Sequence, residues 1–189
     1  MTDREDVIVK HFLDSLTPIK HIPHGARLLD ISSGAGFPGL VLKLVREDIT
    51  VELLDSVNKK TEFLKYMIEL LGLTGVSAAH MRAEEYITGK RESFDAVTAR
   101  AVAELNALLE YAIPYLRTGG RFIAMKSGDY IEELDRAANA VKILKCKVLE
   151  TSAFDLPGGI SRSLIIFEKT APTPAAYPRG KNLPRRKPL

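Results

Sequence analysis

The residues with the clearest chemical potential lie together between Leu28 and Leu42, in the stretch LLDISSGAGFPGLVL. Gly34, Gly36 and Gly39 have the spacing G-x-G-x-x-G, and Asp30 stands just ahead of them at the end of an apolar run. Glycines after a strand let the backbone turn sharply and approach a bound group. The N–H groups of such a turn, and of the helix after it, favour negative charge. That glycine spacing suits the pyrophosphate of a dinucleotide. The same residues also fit D-x-G-x-G-x-G through Asp30, Gly34 and Gly36, with Ser32 in place of the first glycine.

This second pattern is that of S-adenosylmethionine methyltransferases. Asp55, ending the run VELLD at 51–55, is placed to accept the ribose hydroxyls of an adenosine, which both NAD and S-adenosylmethionine carry. Asp30 separates the two. A carboxylate at the buried end of a strand needs a partner, and a sulfonium with an α-amino group brings positive charge where a pyrophosphate would repel. The alternative for Asp30 is a carboxylate bonded to loop N–H groups. For Ser32, a positive φ would cost on the order of 1–2 kcal/mol, whereas a negative φ would leave its hydroxyl free to bond the cofactor carboxylate. Binding is expected to be weakened or retained, not abolished.

The surrounding pattern supplies a frame for such a loop. Strands are expected at 27–31, 51–55, 76–80, 94–99, 121–125, 147–153 and 163–169. Helices are expected at 4–16, from Pro38 to about 45, at 59–72 with Phe63, Met67 and Leu70 on one side, at 103–116 and at 130–144. Strands alternating with helices imply a mostly parallel doubly wound α/β sheet with helices on both faces. The last two strands have no helix between them, which predicts an antiparallel edge hairpin. That ending distinguishes a Rossmann-like class I methyltransferase sheet from the all-parallel dinucleotide type, and little chain remains for a dehydrogenase's substrate domain.

Bulk properties exclude other classes. The chain has 189 residues, 46% of them hydrophobic, enough for one domain with a proper core. The single cysteine, Cys146, excludes a disulfide framework and reads as core, and no Cys/His spacing suggests zinc. No apolar run could span a bilayer and the polar start is no signal peptide, so a soluble cytoplasmic protein, most simply a monomer, is expected. The net charge of +3 is unevenly spread. From Ala171 onward there are five basic residues and no acid, leaving 22 basic against 24 acidic residues in 1–170. The expected organisation is a domain at 1–170 and a basic, proline-rich tail at 171–189. Arg179, Lys181, Arg185, Arg186 and Lys187 suit phosphate contacts and Tyr177 a base stack, against the alternative of a solvated extension.

Taken together, these stretches resemble the bacterial 16S rRNA guanine-N7 methyltransferases, also called glucose-inhibited division protein B. KHFLDSL (10–16), DISSGAGFPG (30–39), LLDSVNKKTEFL (53–64), MRAEEY (81–86), FDAVTARAVAEL (94–105), GGRFIAMKS (119–127) and the tail PTPAAYPRGKNLPRRKPL (172–189) carry the resemblance, which covers nearly the whole chain. It implies S-adenosylmethionine as donor and a guanine N7 in the decoding-region loop of 16S rRNA as acceptor, in the small ribosomal subunit or an assembly intermediate. The family's cofactor positions fall on Ser32, Phe37, Ala83, Glu84 and Arg100, with Ala83 and Glu84 along the adenine and Arg100 facing the reaction centre. Two features depart from the pattern: Ser32 stands for glycine, and about ten residues precede HFLDSL where relatives carry a further helical segment. If that segment grips rRNA, this chain is expected to bind its substrate poorly or to engage it differently.

Guanine N7 has an in-plane lone pair and no proton, so its methylation requires positioning and no general base. The sequence matches that demand, lacking a His–Asp pair, a cysteine nucleophile pair and a D/N-P-P-Y motif. Arg100 is the candidate for orienting the cofactor or the guanine edge; the alternative is a structural ion pair. His11 and Asp14 are candidates for holding the first helix over the site. Two other functions remain open from the sequence: a non-catalytic ribosome-binding protein that lost its cofactor through Ser32, and an NAD(P)-dependent oxidoreductase.

Overall fold

In the computed structural model, the described residues are 4–100, 103–128 and 130–189; Ala101 and Val102 of the FDAVTARAVAEL stretch lie outside them. The described residues begin with a helical run formed by α1 (Arg4–Val7), a π-helical segment (Ile8–Leu13) and α2 (Asp14–Leu16). Next come β1 (Arg27–Ile31), α3 (Gly39–Val45), β2 (Thr50–Asp55), α4 (Asn58–Leu70), β3 (Val76–His80), α5 (Ala83–Tyr86) and β4 (Phe94–Arg100). The second half comprises α6 (Leu105–Ala112), β5 (Leu116–Lys126), α7 (Ile131–Arg136), α8 (Ala138–Leu144), β6 (Cys146–Leu156), β7 (Ile160–Lys169) and α9 (Leu183–Arg186).

The seven strands form one sheet in the order β3-β2-β1-β4-β5-β7-β6. β1 to β5 are parallel, whereas β7 runs antiparallel between β5 and β6. The expected hairpin is present, but its second strand is inserted beside β5 and its first lies at the edge. This order reverses on either side of β1 and β4, and in such sheets ligands lie beyond the carboxyl ends of the strands at the reversal.

Alternation along β1 sets the two cores. Leu29 and Ile31 pack with Leu105, Leu108 and Leu109 of α6, whereas Leu28 packs with Leu40 and Leu42 of α3 and Leu64 of α4. Asp30 shares the face of Leu28, which directs its carboxylate toward the start of α3. Cys146 is buried as expected, and burial pushes its thiol up to about 12.

Two helices bury different residues from those the apolar spacing indicates. In α4 the buried positions are Thr61 and Leu64, while Phe63 and Leu70 are 45% and 60% exposed. In the first helical run Phe12 and Leu13 are exposed and the buried residues are Asp14 and Ser15. The π-helical turn carries an extra residue, which rotates the residues after it relative to a regular helix. The buried Asp14 and ring contacts of His11 and Phe12 with Phe37 therefore dock this segment. Among the described residues, no helix is long and apolar enough to cross a membrane.

Candidate active site

The loop between β1 and α3 is closed by its own backbone. Ser33 O accepts from the N–H groups of Gly36 and Phe37 at 2.8 and 3.0 Å, and Ser33 N donates to Leu54 O at 3.1 Å. The three glycines serve different needs. Gly34 is required by its φ of +60°. A Cβ at Gly36 would lie 2.8 Å from Leu40 Cβ, and one at Gly39 would lie 2.5 Å from Leu53 Cδ2, so these two admit α3 close to the sheet. Ser32 has φ +61°, the strained one of its two alternatives. A serine here carries a left-handed cost on the order of 1–2 kcal/mol.

Asp30 is fully buried. Its Oδ2 accepts from Gly39 N–H at 3.0 Å and its Oδ1 from the Thr98 hydroxyl at 2.8 Å. Burial raises its pKa to about 6 despite these donors. Asp30 thus fixes the loop to the start of α3 and does not border the cleft, which is the loop-bonded alternative and not a direct contact with the cofactor's positive groups. Asp55 does border it. Its Oδ2 accepts from Gly34 N–H and its Oδ1 from Val57 N–H, both at 2.9 Å, and Lys60 Nζ lies 3.7 Å away.

Beyond the ends of β1, β2 and β3 lies a cleft of about 390 Å³, within the range of small-molecule sites. Ile31, Ser32, Leu54 and Asp55 form its inner wall, and Met81, Arg82, Ala83 and Glu84 its side below β3. Ala103, Leu108 and Tyr111 face them, and Asn182 and Arg185 close the rim. Of the cofactor positions expected from sequence, Ser32, Asp55, Ala83 and Glu84 line this cleft, whereas Gly34, Gly36 and Phe37 shape the loop beside it. Lys60, Met81, Tyr111 and Asn182 were not anticipated. The first two and Asn182 lie inside stretches that carry the family resemblance, but nothing local marks Tyr111 or its contact with Asn182.

The tail reaches the cleft because it packs on the domain. Glu110 of α6 is wholly buried and accepts from Arg179 through N, Nε and Nη2, at 2.6–3.1 Å. Asn182 N–H donates to Glu84 Oε1 at 2.9 Å, and its Oδ1 accepts from Tyr111 at 3.1 Å. Thr173 is buried and Tyr177 packs against the α6 core, so the segment after 170 shares the core of the residues before it. Lys181, Arg185, Arg186 and Lys187 are exposed, whereas the guanidinium of Arg179 is committed to Glu110.

Arg100 does not line the cleft. β4 lies beside β1, with Ala99 against Ile31, and Arg100 emerges next to it into a second cavity of about 280 Å³. Its Nη1 donates to Asp14 Oδ2 at 3.2 Å and to Lys10 O at 3.3 Å, and its guanidinium lies 5.3 Å from the Phe37 ring. Asp14 Oδ1 is 3.3 Å from Arg162 Nε, so one buried carboxylate bridges two arginines. His11 stacks on Phe37 at 5.1 Å, and burial followed by the Arg100 charge lowers its pKa. His11 and Asp14 therefore hold the first helix against Phe37, Arg100 and Arg162. Lys126 joins the two cavities: it borders the second and donates to Ala103 O, at the wall of the first, at 2.9 Å.

The sequence profile of a family described as rRNA small subunit methyltransferase G matches residues 1–165. The chain belongs to this family. A ribosomal RNA small subunit methyltransferase G from Caldanaerobacter subterraneus subsp. tengcongensis is 45% identical over the whole chain and 81% of its own length. One from Lactobacillus delbrueckii subsp. bulgaricus is 42% identical, over the whole chain and 82% of its length. Solved structures share the fold at low identity. The B. subtilis M1A22 tRNA methyltransferase TrmK superposes with a TM-score of 0.66 at 17% identity, over 92% of this chain and 70% of that one. M. jannaschii TYW2, solved in complex with AdoMet, gives 0.66 at 14%, over 82% and 76%. Membership makes the chain a methyltransferase with S-adenosylmethionine as donor, and the β7 insertion sets its sheet apart from the all-parallel dinucleotide type.

Proposed function

We propose that the chain methylates N7 of a guanine in the decoding-region loop of 16S rRNA, acting as a monomer in the cytoplasm on the small subunit or an assembly intermediate. The observation that carries this reading is the composition of the Arg100 cavity. Its one carboxylate among the described residues, Asp14, is held between Arg100 and Arg162, and the Nδ1 of the neighbouring His11 accepts from Arg100 Nη2 at 3.4 Å, so both the carboxylate and the imidazole already face an arginine. An acceptor with a lone pair and no proton to lose fits such a site.

When bound, S-adenosylmethionine supplies a methyl on a sulfonium sulfur, and its transfer leaves the positive charge on the base. The residues of the cleft fit that donor: Asp55 for the ribose hydroxyls, Ala83 and Glu84 for the adenine, and Ser32 with the Gly34 turn for the amino-acid end. Asp30 acts indirectly by holding Gly39 and hence the loop. Arg100 can donate to guanine O6 while leaving N7 open; a donor on N7 would occupy the attacking lone pair. Asp14 tempers the repulsion between Arg100 and a base that becomes cationic. Holding the reacting atoms in line can supply roughly 7–11 kcal/mol of barrier reduction. The exposed basic residues of the tail, with Tyr177, contribute contacts to the rRNA at the edge of the cleft.

Calorimetric titration with S-adenosylmethionine, with NADH in parallel, tests the donor. Incubation with 16S rRNA followed by borohydride reduction and aniline cleavage tests the acceptor, because that chemistry breaks the chain at 7-methylguanosine. Saturable binding of S-adenosylmethionine alone and one new break in the decoding-region loop are expected. Methyl incorporation without such a break would refute N7 as the acceptor.

A further inference from the structure

The Arg100 cavity has a neighbour. On the far side of Arg162 lies a third depression of about 520 Å³, between the β6–β7 hairpin and the loop before α7. Phe154 and Arg162 are direct cross-strand partners, so both project from the same face of the hairpin, and Tyr130 contributes a second ring. Both rings are half-buried, each packed against a core on one side and bordering the depression on the other. The Arg162 side chain is 19% exposed and borders both spaces. Asp155, on the same rim, accepts from the Ser161 hydroxyl at 2.7 Å.

We propose that this aromatic depression, with Arg162 at its inner edge, holds the unpaired nucleotide next to the target guanine in a single-stranded RNA loop. The inference rests on the acceptor reading above and extends it to a flanking nucleotide. An aromatic ring beside a guanidinium is the pairing that single-stranded RNA uses, with the base on the ring and the phosphate on the cation. The charges are arranged accordingly. Arg100 and Arg162 share the single carboxylate of Asp14, so one positive charge of this trio is left over, at the border between the two spaces. A phosphate there would sit one nucleotide from a base held at Arg100. The RNA would then extend from the Arg100 cavity onto the β6–β7 hairpin.

Arg162→Gln and Phe154→Ala separate the two contacts. With full-length chain and a 16S rRNA transcript, Arg162→Gln should raise the RNA KM and reduce the salt slope of RNA binding by roughly one. Phe154→Ala should raise KM by roughly tenfold with an unchanged slope, because a base stack neutralises no phosphate. Both should keep the affinity for S-adenosylmethionine within about twofold, a readout set by the donor cleft alone. If Arg162→Gln disturbs folding through Asp14, Arg162→Lys restores the charge and should restore the slope. KM within about twofold of the natural chain for both variants, or an unchanged slope for Arg162→Gln, overturns the proposal. Should the natural chain transfer no methyl to the transcript, the acceptor reading fails, and filter binding of the same RNA with the same variants still decides the groove.

Discussion

The first helical run and the C-terminal tail are each held to the domain by a buried carboxylate and arginine, but the two clamps differ in stoichiometry. At the tail, one carboxylate meets one guanidinium: Glu110 takes four hydrogen bonds from Arg179, and the charges cancel in a closed unit. At the N-terminal run, one carboxylate meets two: Asp14 lies between Arg100 and Arg162, each reaching it by one approach, at 3.2 and 3.3 Å. The first arrangement is complete and has no capacity for a ligand. The second retains positive charge and opens on a cavity. A saturated pair anchors a segment, whereas an unsaturated one can anchor and also bind.

Removing one side of the saturated clamp should have the largest effect. Arg179→Ala removes the guanidinium and leaves the buried Glu110 carboxylate with only the residue-179 backbone N–H, a change that costs about 3–5 kcal/mol. Urea unfolding should show that loss, and S-adenosylmethionine binding should weaken with it as Asn182 leaves Glu84. A variant within about 1 kcal/mol of the natural chain would mean that the tail is not anchored there.

Asp30 sharpens the contrast, since its carboxylate accepts from neutral donors, Gly39 N–H and the Thr98 hydroxyl. Its folded pKa of about 6 lies above the ordinary value, so the folded chain holds this proton more tightly than the unfolded chain. The stability this gives is fully present below about pH 4, is lost as pH rises to about 6, and changes little beyond, a span of about 3 kcal/mol. Asparagine can keep both contacts, with its oxygen toward Gly39 and its amide toward Thr98. The difference in unfolding free energy between Asp30→Asn and the natural chain should therefore grow in favour of the variant between about pH 4 and 6. Parallel profiles would show that Asp30 does not titrate in this range.

The unsaturated clamp should respond less and in two directions. Asp14→Asn should cost about 1–3 kcal/mol of stability, because both arginines retain partial access to water. RNA affinity at low salt should hold or rise, since the anion that offsets the two arginines is gone. A fall in affinity at unchanged stability would place Asp14 itself on the RNA. The smallest effect belongs to neither clamp. Ser32→Gly should relieve the left-handed strain and stabilise the chain by about 1 kcal/mol, with cofactor binding retained or tightened.

Much of this architecture was legible in the sequence because it depends on short-range pattern. β1, β3 and the glycine loop declare themselves through apolar runs bounded by turn residues, and Asp55 is placed by the end of its strand. What escaped depends on contacts between distant segments. Nothing near Tyr111 or Asn182 signals that they meet, and the basic composition of the tail conceals that Arg179 is spent on Glu110. The π-helical turn hid the docking face of the first helix, since regular spacing directs attention to Phe12 and Leu13 while Asp14 is the buried residue. Apolar periodicity likewise cannot tell Phe63 from Leu64 in α4, and packing against the sheet chose the latter.

The rim of the cleft beside the glycine loop has a consequence for how the enzyme is made. Its floor comes from residues near 31–84, but Asn182 and Arg185 are synthesised long after them. While the tail is still inside the exit tunnel of a translating ribosome, the cleft lacks its rim. A nascent chain thus completes this cleft only once Asn182 and Arg185 have emerged, so an enzyme still being made lacks the finished cleft.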